Sequence, residues 1–348
     1  MAEHALLNHL TDNLESNECY THNMIGFPPG LSTQNAMRLI KYHIIDSTSA
    51  DTKAILGLDL EKAFDNISHA FILKSLTGCH VGKRAYNFVR YFPFSRSTRL
   101  KIDEFLTHEI QLGPKGTSEG VVISPTLFNI SLINLSRALN KIPIINHTIY
   151  AYDITIWCSS GCEGQVEGAL QEAIDVTERY RIPTGLRCSP AKSELLLYKK
   201  RLGGGSHRSW KPAKESHITL FTGKGSPVPR VDTIRVLGMF IESNGANGGA
   251  LKRICSKAES TLGLSRRIAN RYRGIREDNL IRIIHAFVLC HLAYSRAMQN
   301  WLVSERNKIS ALIRRVLNLS LGLPIRTHTK DLLILGIHNT FEEIVEAQ

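Results

Sequence analysis

The chain has no run of eighteen apolar residues, so it offers no segment able to cross a bilayer as a helix. Its opening, MAEHALLNHLTDNLESNE, carries an acid at Glu3 and lacks the basic-then-apolar layout of a secretory signal. A cytoplasmic or nuclear setting is therefore expected, without secretion. The seven cysteines are odd in number and scattered, which argues against a disulfide framework. Cys158 and Cys162 stand in a C-x-x-x-C spacing, but no second pair completes a zinc pattern, and two reduced thiols near a strand end is the ordinary reading. Internal repeats are absent. Acids are scarce: 31 Asp and Glu face 43 Lys and Arg, a net charge of +12.

That excess is regional. Between Leu251 and Arg315 stand fourteen Lys and Arg against four acids, which is +10 of the total. A merely solvated helix face usually mixes signs, so a block of one sign points to a polyanionic partner, either nucleic acid or an acidic membrane surface.

The 348 residues suffice for one large domain or two modest ones. Residues 1–50 read as helices flanking the breaker Pro28-Pro29-Gly30, with Ser32 or Thr33 placed to cap the second. KAILGLDL has the length of a short apolar strand and closes on Asp59; a turn and a helix follow. Residues 80–112 mix short basic segments with a hairpin. GPKGTSEGVVISP is a glycine-rich loop leading into an apolar-periodic helix that Ser124 could cap, with Pro125 at its first position. HTIYAYDITIWC reads as two β-branched runs about a tight turn. GQVEGALQEAIDVTERYR is an amphipathic helix with Val166, Leu170, Ile174 and either Val176 or Thr177 turned inward. SELLLYKK and TIRVLGMFIE read as strands, separated by a flexible excursion over 201–217. ESNGANGG is a linker into the basic helices. The order predicts an α+β fold with helices packed against a small antiparallel sheet.

Two strand-borne acids stand out in it, Asp59 at a strand end and Asp153 at a hairpin tip. Carboxylates so placed can converge on Mg²⁺, a hard cation that takes one or two carboxylates with water and phosphate oxygens. Such sites run phosphoryl and nucleotidyl transfer. Alone the signal is weak, because single aspartates at turns are usually turn formers.

The motifs carry more. GLDLEKAFDNISH, KGTSEGVVISPTLFN, YAYD, GLRCSPAKSELL and IRVLGMFI follow one another in the order and spacing of the palm motifs of reverse transcriptases. MIGFPPGLSTQNAM resembles the fingers motif G-F-R-x-x-x-S-T. From about residue 5 to 330 the chain resembles the reverse transcriptase domain of a non-LTR (LINE-type) retrotransposon. The resemblance implies a right-hand polymerase, with partial fingers over 1–53, a palm over 54–244 that carries a fingers insertion around 80–112, and a basic helical thumb over 245–348. It implies two Mg²⁺ ions (Mn²⁺ as a substitute), an RNA template, a DNA primer and deoxynucleoside triphosphates, with no membrane partner.

Residue roles follow from the same resemblance. Asp59 matches the first metal ligand and Asp153 the second acid of the Y-A-D-D signature. Lys192 matches a proton donor to pyrophosphate. Leu60, Phe64, Glu119 and Gly120 fall at nucleotide-contacting positions; Phe64 matches the aromatic that closes under the sugar, although by spacing alone it reads as a core aromatic. Gly116 matches the loop that approaches template and nucleotide, and Tyr150 buttresses the hairpin. Arg266, Arg267, Arg271, Arg273 and Arg276 belong to the duplex-gripping thumb.

Three departures fall at these positions. Tyr152 replaces the aspartate expected to ligate both metals, Glu119 replaces a glutamine, and Pro28 replaces an arginine. A tyrosine phenol, with an ordinary pKa of about 10, brings no charge to a dication at neutral pH. Losing one ligand of a two-metal site is expected to cost about 10³-fold or more in rate, about 4 kcal/mol. Asp65, six residues past Asp59, matches an acid kept for structural reasons and is not expected to substitute. The expectation is a degenerate copy with polymerase activity lost or reduced by orders of magnitude, and the alternative is a non-catalytic module that grips primer–template. A Mg²⁺ nuclease is opposed by the ordered motifs. The chain reads as a truncated copy that starts inside the fingers, with no endonuclease or ribonuclease H pattern and no zinc knuckle.

Overall fold

A computed structural model describes residues 2–49, 51–91, 97–117, 120–189, 192–199, 217–268, 274–296, 298–324, 326–334 and 343. In chain order the helices and strands are α1 (Ala2–Ser16), α2 (Thr33–Ile40), β1 (Lys53–Asp59), α3 (Ala63–Asn66), α4 (His69–Gly78) and α5 (Lys83–Tyr91). Four two-residue strands follow, β2 (Ser97–Thr98), β3 (Lys101–Ile102), β4 (Phe105–Leu106) and β5 (Ile110–Gln111). Next come α6 (Ser124–Leu139), β6 (Ile145–Tyr150), β7 (Asp153–Cys158), α7 (Glu163–Thr184), β8 (Glu194–Tyr198), β9 (Thr233–Val236) and β10 (Met239–Glu242). The chain then turns helical, with α8 (Gly248–Ile268), α9 (Glu277–Ile284), α10 (Cys290–Arg296), α11 (Val303–Ser320) and α12 (Thr329–Ile334). Two π-helical turns, Lys41–Ile45 and His285–Leu289, extend α2 and join α9 to α10.

The expected α+β architecture is present. β6, β7, β1 and β8 lie side by side in that order, antiparallel at every step. β1 is covered on both faces, and this is why KAILGLD is an unbroken apolar run rather than an alternating one. Leu56 and Leu58 join Ile154 and Ile156 in a core shared with α4, α6 and α7. Ile55, Trp157 and Leu196 point the other way, into a second core with α2 and the β9–β10 hairpin. TIRVLGMFIE is thus two strands, turned at Leu237-Gly238, with Ile234 opposite Ile241.

α7 buries Val166, Leu170, Ile174 and Thr177, the face its spacing predicts. α6 begins one residue earlier than read: Ile123 is its N-cap, and Ser124 is buried inside the first turn. Ser32 does precede α2, with its N–H donated to Asn35 Oδ1 at 2.9 Å. The helices after β10 have a core of their own, built from Ile254 and Leu262 of α8, Leu292 of α10, and Ile313 and Val316 of α11. The excursion expected over 201–217 lies, but for His217, outside the described residues.

Candidate active site and nucleic-acid interface

The register of the two central strands sets Asp59 of β1 directly opposite Asp153 of β7. Opposed like charges destabilise a strand pair. Burial first, and then the charge of Asp59, push the Asp153 carboxyl above the usual carboxylate range, while Arg235 and Lys192 pull it down. Lys192 Nζ lies 3.4 Å from Asp59 Oδ2, with the lysine side chain 70% exposed and the aspartate 20%. An ion pair this exposed adds little stability.

β6 and β7 form a hairpin closed by the pair Tyr150 and Asp153, with Ala151-Tyr152 as its turn. Ala151 takes φ +53, the left-handed value that such turns ask of their first residue and that alanine adopts only at a cost. The turn is held from behind. The N–H groups of Ile25 and Gly26 both donate to Ile149 O, at 3.0 and 3.2 Å. A Cβ on Gly26 would stand 2.6 Å from Ala151 N, so only glycine permits this approach. Phe27 stacks on Tyr150, their centroids 6.3 Å apart and ring planes at 28°. Tyr152 is 42% exposed and meets Phe64 edge-to-face at 6.4 Å and 89°. Phe64 is backed in turn by Phe128 at 4.7 Å.

Phe27, Phe64, Tyr150, Ala151 and Tyr152 line one cleft of about 1240 Å³ with Asp59, Asp153, Lys192 and Glu194. Its other wall carries Arg235 from β9 and Arg253, Lys257, His291 and Tyr294 from the C-terminal helices. Arg253 sits 3.6 Å from the centroid of the Phe240 ring, a cation–π contact that fixes the guanidinium. Lys257 Nζ is 2.9 Å from His291 Nε2. Tyr294 ties three segments together: its hydroxyl lies 2.7 Å from both Thr33 Oγ1 and Leu237 O.

Six of the residues singled out from the sequence therefore meet in the cleft: Asp59, Phe64, Tyr150, Tyr152, Asp153 and Lys192. Leu60 is buried and paired with Cys188 through a backbone bridge. Gly120 has φ +81 and is exposed, outside the cleft lining. Gly116 is constrained by the chain itself, since a Cβ there would come within 2.9 Å of Asp65 O. Pro28 and Asp65 are described and do not line the cleft, whereas Glu119, Arg271 and Arg273 fall outside the described residues. Arg266 and Arg267 are exposed in the last turn of α8, and Arg276 caps α9; none lines the cleft. Arg235, Arg253 and Lys257 do, and they were not singled out. The signal was the spacing of α8: with Ala250, Ile254 and Ala258 buried, positions 253 and 257 share an outward face.

Two carboxylates can serve one hard dication completed by water or phosphate oxygens. At the turn beside Asp153 stands the Tyr152 phenol, edge-to-face with Phe64. Among the described residues no group of three or more His, Cys, Asp or Glu is arranged to hold a metal ion.

Opposed acids at the ends of the central strands of an antiparallel sheet, helices behind it and basic helices across a cleft define the core of a right-hand polymerase. Residues 3–241 match the family described as reverse transcriptase (RNA-dependent DNA polymerase). The chain belongs to that family. The retrovirus-related Pol polyprotein from the type-1 retrotransposable element R2 of Popillia japonica is 28% identical over 106 residues, 30% of this chain. The matched segment amounts to 17% of that relative's length. Telomerase from Candida albicans in complex with a TWJ fragment of telomeric RNA is similar at a TM-score of 0.48 and 10% identity, over 98% of this chain and 55% of that one. Apo telomerase from Candida tropicalis is similar at 0.48 and 9%, over 99% and 60%. At that distance the likeness says nothing about activity or substrate.

Proposed function

We propose that the chain is the polymerase core of a non-LTR retrotransposon reverse transcriptase that grips an RNA template and DNA primer but has lost, or nearly lost, nucleotidyl transfer. The reading divides it into partial fingers over 1–53, palm over 54–244 and thumb over 245–348. The observation that carries it is Tyr152. At the hairpin turn, where the family places a carboxylate beside the Asp59–Asp153 pair, this chain places an uncharged ring packed on Phe64. In an active family member two Mg²⁺ ions, or Mn²⁺, would activate the primer hydroxyl and neutralise the pyrophosphate. Here Asp59 and Asp153 remain as donors, and Lys192 is drawn onto Asp59. The cationic wall of Arg235, Arg253 and Lys257, with Arg266, Arg267 and Arg276 beyond it, supports a retained grip on the nucleic-acid backbone.

The test is primer extension with Mg²⁺ and with Mn²⁺, comparing wild type with Tyr152→Asp. Wild type is expected to extend at least about 10³-fold more slowly than the variant. Robust extension by wild type would refute the proposal. Binding of primer–template that weakens with salt, without extension, supports it.

A further inference from the structure

We infer that the cleft is a metal-independent stacking site for the unpaired terminal base of a nucleic-acid strand, with Tyr152 as the platform. The inference rests on the reading above that the chain binds nucleic acid, and adds which residue takes which part of the ligand. Aromatic rings line one side of the cleft: Phe27 against Tyr150, and Tyr152 against Phe64. Phe27 and Tyr152 are 44% and 42% exposed, which leaves surface for a planar partner. The edge-to-face contact with Phe64 holds Tyr152 in place without covering it.

Charge orients the ligand. Asp59, Asp153 and Glu194 leave one side of the cleft net acidic even with Lys192 paired to Asp59, while Arg235 of β9 with Arg253 and Lys257 of α8 makes the other basic. A phosphate is repelled by the first and held by the second. A base has no charge to repel and a π-face to stack, so it occupies the side where Tyr152 stands. Rings beside a cationic track are how single strands are held without a metal ion. An acid at position 152 would remove the platform and add a fourth negative charge to that side, so the phenol that stands there creates the stacking site.

The test uses short oligonucleotides that carry 2-aminopurine, whose fluorescence falls on stacking, as the terminal base at either end, with a fluorescein at the opposite end for anisotropy. Titration of the full chain in EDTA is expected to quench one of the two probes. Tyr152→Phe keeps the quench; Tyr152→Ala abolishes it and weakens binding roughly tenfold or more. Circular dichroism melts confirm that both variants fold. If anisotropy reports binding but neither probe is quenched, if the quench survives Tyr152→Ala, or if it needs Mg²⁺, the stacking site is refuted while the nucleic-acid reading stands. If wild type shows no anisotropy change at low salt, both fall.

Discussion

A phenol in place of a carboxylate changes two things at the hairpin turn: a charge is lost and a ring is gained. Tyr152 lies next to Asp153, whose carboxyl is already pushed up by burial and by Asp59; on the proposed reading the site has one acid fewer to balance a dication. A different residue contributes to the pH response of the fold. His147 of β6 is buried, with Nε2 2.9 Å from Ser136 Oγ and Nδ1 3.4 Å from the Asn23 amide. Burial lowers its pKa from 6.5 to about 4. The unfolded chain therefore takes up a proton between those values that the folded chain refuses, and stability falls as pH drops through that window. Urea unfolding from pH 7 to pH 4 is expected to show a loss of roughly 2–4 kcal/mol from this group. His147→Gln, less stable at pH 7, is expected to show a shallower decline; an unchanged decline would rule out His147 as its source.

At the scale of elements, what was legible depended on whether the forces were local. β1 could be read as a buried strand because both its faces are covered, and α7 because its inward positions recur at helical spacing. The YAYD turn was legible because β-branched runs flank it. Contacts set by the fold were not. Nothing near Gly26 announces that its hydrogens must clear Ala151, and nothing near Arg253 announces that it stands over Phe240 and across from Asp59. The basic face of α8 was legible only as a regional charge, since which arginines turn to the cleft depends on how Ile254 and Leu262 pack on α11. If Arg253 and Lys257 hold phosphates of a duplex, replacing both with glutamine lowers the slope of log affinity against log salt by about 2. Binding titrations between low and moderate salt measure this. A slope equal to wild type would move the grip elsewhere, with the terminal arginines of α8 the next to replace.

For the whole molecule, the sheet and the C-terminal helices meet at one cleft, with Asp59, Asp153 and Glu194 on the sheet and Arg253 and Lys257 on the helices. Tyr294 spans them, bonded to Thr33 near the N-terminus and to Leu237 at the turn of the β9–β10 hairpin. At this level the chain belongs to the reverse transcriptase family, and the proposed reading is that its metal centre lacks one ligand. The order of motifs made the family legible, and Tyr152 made the departure legible, but the placement of its ring on Phe64 required the fold. The most direct measurement is the number of Mn²⁺ ions bound per chain by electron paramagnetic resonance, with primer–template and a non-hydrolysable deoxynucleoside triphosphate analogue present. At most one protein-dependent ion is expected for wild type and two for Tyr152→Asp. Two ions bound by the wild-type chain would contradict the loss of the two-metal centre.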